Sequence, residues 1–171
     1  MEPTTDTYRI IVVCLGNICR SPIAEVVLAD RLDSAGLSDR ATVESAGTGG
    51  WHIGSNADPR AQAAMTNAGY HHDHSARQFE PEWLTSADLV LGMDYANVED
   101  LRALSPDGDA NGVVRIFRSF DPTLMHLPED DPALTVPDPY YGDSDGFTQV
   151  LEMIEHAADG IIDHVRLELG H

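Results

Sequence analysis

Cys14 and Arg20 bracket a short loop, Cys14-Leu15-Gly16-Asn17-Ile18-Cys19-Arg20, and Ser21-Pro22 follows directly. A chain of that length can circle one tetrahedral oxyanion and bring the arginine back over it. The planar guanidinium fork suits the task because it grips two oxygens of the anion at once. Successive backbone N–H groups in such a loop can point inward as an anion-binding nest. Those donors, the arginine and a nearby hydroxyl would favour the thiolate of Cys14, and a thiolate attacks without a dedicated base. Taken singly, a cysteine at a strand end is usually a buried small hydrophobe. Here it comes in order with a glycine, a second cysteine, an arginine, a serine and a proline. That order points to nucleophilic chemistry on a bound oxyanion.

Such a loop needs a strand to deliver it and a helix to receive it. Residues 9–15 are a β-branched run and read as a buried strand. Ser21 reads as an N-cap and Pro22 as the first helical residue. Ile23, Val26, Val27, Leu28 and Leu32 then give an amphipathic helix ending near Gly36. Its N-terminus would add partial positive charge to the loop. Downstream, the pattern predicts strands over 41–46, 89–93 and 112–117. It predicts helices over 59–68, 81–86, about 97–104 and 147–169. The last carries Val150, Ile154, Ala157, Ile161 and Val165 along one face.

Strand and helix alternate throughout. The expected fold is α/β, three layers with a central four-stranded parallel sheet between helices. The phosphate-sized loop follows the first strand, at the strand ends where ligands bind in such sheets. One domain over 1–171 is expected, with a polar tail at 1–8. Residues 119–145 are too long for a plain connector. They hold five prolines and an acidic run, Glu129-Asp130-Asp131. With few residues suited to a core, this stretch is expected to be mobile, its acids near the mouth of the site.

The formal net charge is −19, and all ten basic residues are arginines. This balance argues against nucleic acid or an anionic membrane as partner. A positive site must therefore be local. The polar start is too short for a signal peptide, and no apolar run nears the roughly 18 residues of a membrane span. The only cysteines are Cys14 and Cys19, beside one Arg-Ser-Pro, which points to a reducing compartment; a cytoplasmic monomer is expected. His71, His72 and His74 lack a further cysteine or acid at ligand spacing, so no metal is expected there.

The stretch Val13-Cys14-Leu15-Gly16-Asn17-Ile18-Cys19-Arg20-Ser21-Pro22-Ile23-Ala24-Glu25 resembles the signature of the low-molecular-weight protein tyrosine phosphatases. Ser45-Ala46-Gly47-Thr48, His74-Ser75-Ala76-Arg77-Gln78 and Asp138-Pro139-Tyr140-Tyr141-Gly142 are similar to three further motifs of that family, in order. Trp51-His52-Ile53-Gly54 looks most like actinobacterial members. The resemblance implies a phosphotyrosine hydrolase without a cofactor. Cys14 would be the nucleophile, Arg20 the phosphate clamp and Asp138 the general acid and then base. Leu15, Gly16, Asn17, Ile18 and Cys19 would line the phosphate, and Ser21 would donate to the thiolate. Asn17, Ser45 and His74 would hold the loop in shape, with Asp94 orienting Arg20. Trp51, Tyr140 and Tyr141 would wall the cleft for the aromatic ring. Implied partners are phosphotyrosine proteins, with inorganic phosphate or sulfate able to occupy the loop. Two rivals share the fold. Thioredoxin-coupled arsenate reductases relay a disulfide through downstream cysteines, and none follows Cys19. Relatives acting on phosphoarginine carry threonine where Ile18 stands.

Overall fold

The computed structural model describes residues 7–105 and 113–170. Residues 1–6 of the expected tail, and residue 112 of the expected fourth strand, lie outside them. The chain runs β1 (Tyr8–Cys14), α1 (Arg20–Ser34), β2 (Ala41–Gly47), α2 (Pro59–Asn67), α3 (Trp83–Ser86), β3 (Leu89–Gly92), α4 (Tyr95–Ala103), β4 (Val114–Ile116) and α5 (Ser144–Glu168). Short 3₁₀ turns occupy Phe117–Phe120 and Pro132–Leu134.

The strands form one four-stranded parallel sheet in the order β2-β1-β3-β4. Side chains alternate across the sheet, so β1 serves two cores. Ile10, Val12 and Cys14 pack with α1, α2 and α5 on one face; Ile11 and Val13 pack with α3 and α4 on the other. Both faces of the sheet are covered, which is why β1 carries an unbroken apolar run. Along α5, Val150, Ile154, Ala157, Ile161 and Val165 are all buried, as their spacing predicts. Each larger aliphatic in that row contributes about 1.5–3 kcal/mol by leaving water.

Parallel pairing puts every strand's C-terminal end on one side. Cys14 sits opposite Gly47, and Val13 opposite Gly92. The chain leaves β1 for β2 on one side and reaches β3 on the other, so β1 and β3 flank the switch point where a crevice opens. Gly47 shows how tightly the crevice floor is built. A Cβ there would come within 2.8 Å of the Leu15 carbonyl and 3.1 Å of the Asn17 nitrogen.

Three boundaries differ from the sequence reading, each for a local reason. The helix α1 begins at Arg20 with no side-chain cap, because the Ser21 hydroxyl is turned away to Cys14. The helix α4 starts at Tyr95, because Asp94 and Asn97 form a reciprocal capping box. The strand β4 ends at Ile116, where the 3₁₀ turn takes over the backbone.

The larger correction concerns residues 119–145. Little was expected to tie them to a core, yet Phe120, Leu134 and Val136 are buried. Leu124 and Leu127 pack against the same core as α4. The Tyr95 hydroxyl lies 2.7 Å from the carbonyls of both Glu129 and Asp131, and Arg118 donates to the Ala133 carbonyl. Spaced prolines and single apolar residues gave no periodicity from which this anchoring could be read.

Candidate active site

The loop after β1 turns its carbonyls outward. The Cys14 and Leu15 carbonyls accept from the Thr48 and Gly49 amides, and the Ile18 carbonyl accepts from the Asp58 amide. The Asn17 carbonyl accepts from His74 Nε2 at 2.6 Å, which fixes the proton on that nitrogen. The N–H groups of residues 15–19 have no acceptor among the described residues. A peptide unit whose carbonyl faces out points its N–H in, so the loop presents an inward ring of donors.

Asn17 is the hinge of that ring. It is fully buried, and it is the only non-glycine residue with positive φ (58°) among the described residues. Asparagine tolerates that backbone better than most residues. Its amide donates to Ser21 Oγ at 2.8 Å, and its Oδ1 accepts from the Arg77 amide at 2.9 Å. The Ser21 hydroxyl thus accepts from Asn17, and its own proton has two acceptors in reach, Cys14 Sγ and, at 3.4 Å, the Ala46 carbonyl. Cys14 Sγ lies 3.1 Å from that hydroxyl, and the Ser21 amide also points at the sulfur.

Arg20 is 2% exposed. Its Nη1 donates to Asp94 Oδ2 at 2.7 Å and to the Val136 carbonyl at 2.9 Å. Its Nη2 lies 3.7 Å from Asp138 Oδ2. Burial works against this charge, but the facing Cys14, Asp94 and Asp138 outweigh it and hold the guanidinium protonated. Asp94 does two jobs: Oδ2 takes Arg20, while Oδ1 takes the Asn97 amide and caps α4.

Asp138 stands across the cleft, its side chain 34% exposed, with Oδ1 accepting from the Tyr140 amide. The cleft between loop and acid measures about 320 Å³. Cys14, Leu15, Gly16, Ile18, Cys19, Arg20, Trp51, Asp138, Tyr140 and Tyr141 all line it. Trp51 and Tyr141 are 73% and 91% exposed, so the walls stand open at the rim. The arrangement can seat a tetrahedral anion on the donor ring, attack it with sulfur and supply a proton from the opposite side. Cys19 is a second free, buried thiol, and burial together with Cys14 pushes its ionisation up, so it stays neutral.

Over residues 9–169 the chain matches the family described as low molecular weight phosphotyrosine protein phosphatase. The chain belongs to this family. A low molecular weight protein-tyrosine-phosphatase of Streptomyces coelicolor is 47% identical over 160 residues, covering 94% of each chain. Low molecular weight protein-tyrosine phosphatase A of Mycobacterium tuberculosis is 44% identical, covering 94% of this chain and 93% of that one. Among solved structures, an Entamoeba histolytica protein tyrosine phosphatase with Hepes in its active site superposes with a TM-score of 0.84 at 31% identity, covering 96% of this chain and 99% of that one. Vibrio vulnificus Wzb in complex with benzylphosphonate gives 0.75 at 28%, covering 92% and 99%. The chain is thus a protein-tyrosine-phosphatase, a phosphoric monoester hydrolase.

Within this phosphatase, one expected member of the loop-holding set stands apart. The Ser45 hydroxyl goes to Glu25, not to the loop, and only its carbonyl joins in, through Arg77 Nε. The residue's strand position explains this, since Arg77 and not Ser45 reaches the Asn17 amide oxygen. The acids Glu129, Asp130 and Asp131 do not line the cleft; Glu129 faces Arg115 beside α4. Two cleft neighbours escaped the sequence reading. His52 lines the cleft, and a Cβ on Gly16 would lie 3.0 Å from its ring. Arg60 reaches the acid-bearing segment from α2. The Asp58-Pro59-Arg60 start of α2 was the available signal, as an N-cap and N1 pair followed by one of few cations. Among the described residues, no group of three or more His, Cys, Asp or Glu could hold a metal ion, and no helix is long and apolar enough to cross a membrane.

Proposed function

We propose that this phosphatase hydrolyses phosphotyrosine in proteins through a cysteinyl-phosphate intermediate. The phosphoryl group sits on the inward N–H groups of the loop and under Arg20. The Cys14 thiolate attacks phosphorus in line, with Ser21 donating to the sulfur. As the S–P bond forms, the P–O bond to the ring breaks, and Asp138 gives its proton to the leaving phenolate. A water then attacks phosphorus, Asp138 takes its proton, and the S–P bond breaks to return the thiolate and free phosphate. Every step is ionic and the electrons stay paired, so no cofactor is called for. Fixed dipoles aimed at the transferring oxygens carry most of the acceleration.

The observation that carries this reading is the loop's polarity. The carbonyls at 14, 15, 17 and 18 are engaged outward, the N–H groups of residues 15–19 have no acceptor among the described residues, and Cys14, Arg20 and Asp138 line the same cleft. Selectivity for tyrosine is supported by the walls. Trp51, Tyr140 and the Ile18 side chain give an apolar passage that suits an aromatic stem, and inorganic phosphate or sulfate would fill the loop alone.

Phosphate release from phosphotyrosine, phosphoserine and phosphoarginine peptides tests the proposal. Phosphotyrosine is expected to be hydrolysed far faster than the others, and Cys14→Ser to retain less than about a hundredth of the turnover while still binding phosphate. Comparable hydrolysis of phosphoserine would overturn the substrate; substantial turnover by Cys14→Ser would overturn the nucleophile.

A further inference from the structure

Arg60 sits at the second position of α2, with its guanidinium against the acid-bearing segment. Asp58, which caps the helix by accepting from the Arg60 amide, also binds the guanidinium with both carboxylate oxygens: Nε reaches Oδ1 and Nη2 reaches Oδ2, each at 3.0 Å. That bidentate grip fixes the plane of the fork and aims its outer edge. On that edge Nη1 donates to the Gly142 carbonyl and Nη2 to the Tyr140 carbonyl, both at 2.9 Å. The guanidinium carbon also lies 4.7 Å from the Phe147 ring centre and 5.6 Å from that of Tyr140. Four of the five guanidinium N–H donors are thereby committed.

The other end of this link is the catalytic loop itself. The Asp58 amide donates to the Ile18 carbonyl at 2.8 Å. Asp58 and Arg60 therefore form a single strut from the loop that holds Cys14 to the backbone just beyond Asp138. On the near side of Asp138, Val136 is tied by its amide to the Met93 carbonyl and by its own carbonyl to Arg20. Between these two ties lies Asp138, with its Oδ1 on the amide of the same Tyr140 whose carbonyl Arg60 holds. A carboxyl only a few residues from each anchor has little freedom; with the far anchor gone, it can swing into solvent.

We infer that Arg60, clamped by Asp58, is a positioning residue for the general acid: it sets the distance between Asp138 and the leaving oxygen bound over Cys14. This rests on the proposed role of Asp138. Arg60 does not line the cleft. Its removal should therefore weaken proton delivery while sparing the donor ring and the nucleophile. The signature is a leaving-group dependence. Phenyl phosphate needs a proton as it leaves, whereas nitrophenyl phosphate hardly does.

The experiment compares kcat/KM for these two substrates in wild type, Arg60→Met, Arg60→Lys, Asp138→Asn and the Arg60→Met/Asp138→Asn double variant, with inhibition by inorganic phosphate as a gauge of the loop. For Arg60→Met, phenyl phosphate is expected to slow by about ten- to a hundredfold and nitrophenyl phosphate by no more than about threefold, the scale of loss for a misplaced group of about 1 Å. Phosphate inhibition should be unchanged. Arg60→Lys, which keeps the charge but not the fork, should fall between. In the Asp138→Asn background Arg60→Met should add almost nothing, since two residues acting as one unit are not additive. Equal slowing of both substrates, weakened phosphate inhibition, or full additivity would overturn the inference. So would an unaffected Arg60→Met. If that variant does not fold, the same pattern in Arg60→Lys decides. Should Asp138→Asn itself slow both substrates alike, the acid assignment falls; should it discriminate while the Arg60 variants do not, only the role of Arg60 falls.

Discussion

The cleft has two jaws, and they are held by different means. The loop after β1 is buried: Asn17 and Ser21 are fully inaccessible, Arg20 is 2% exposed, and the outward carbonyls at 14, 15, 17 and 18 all have partners. The jaw that carries Asp138 is open to water, and its backbone hangs from a few long-range ties, chiefly through Val136 and through Arg60. A donor ring that must match a dianion gains from rigidity, because fixed dipoles need no reorganisation when charge develops. A residue that must meet a leaving group and later a water needs both access and a defined position. Burial provides the first jaw's order, and tethering provides the second's. Damage to the first should therefore harm every substrate alike, and damage to the second should sort substrates by leaving group.

The largest effect should come from Arg20→Ala. It removes a buried cation that lines the cleft with Cys14 and takes away the guanidinium that faces Asp94 and Asp138. Loss of about 10³–10⁵-fold in kcat/KM is expected, as for arginines that meet a transferring phosphoryl group elsewhere. Phenyl and nitrophenyl phosphates should fall together. A split between them would show that Arg20 serves the acid more than the phosphoryl group, and the contrast between the jaws would break.

Asn17 sharpens the same contrast on a smaller scale. Asn17→Ala strands the Arg77 amide and puts alanine at a φ of 58°. Stability should drop by about 0.5–1.5 kcal/mol from the hydrogen bond lost at this part-buried amide, with about a further 1–2 kcal/mol from the backbone. Activity should fall by about a hundredfold on all substrates as the donor ring loosens. Asn17→Gly should recover the backbone part of the stability, read by denaturant unfolding, but not the activity. Recovery of both would mean that the ring depends on backbone conformation alone.

The smallest effect should be a pH-dependent one in the tether of the second jaw. The side-chain hydrogen bond from Arg60 holds the Asp58 carboxyl below the usual aspartate range. A lowered folded-state value stabilises the protein above the unfolded-state pKa of about 4, and that contribution is lost as pH falls through the folded value. Asp58→Asn keeps a helix cap but removes the charge. The difference in melting temperature between wild type and Asp58→Asn should thus be steady from pH 7 to about 5 and shrink below about 4. A gap that persists at the acid end would assign it to the cap rather than to the ion pair.

The fold class, the strand that delivers the loop, and the order of Cys14, Arg20 and Ser21 were all legible in the chain's residues. These are local facts: an apolar β-branched run, a loop of fixed length and a helix start are all written in neighbouring residues. The long irregular stretch was not legible in this way. Its anchors, Leu134, Val136 and the carbonyls of Tyr140 and Gly142, find their partners on α4, on Arg20 and on α2, and no periodicity signals a contact made once. Ser45 failed for the same reason, since a motif names a residue but not the direction of its hydroxyl. Only the packing of α2 against α5 brings Arg60 under the acid-bearing segment, so the way Asp138 is held over the loop depends on contacts between distant parts of the chain.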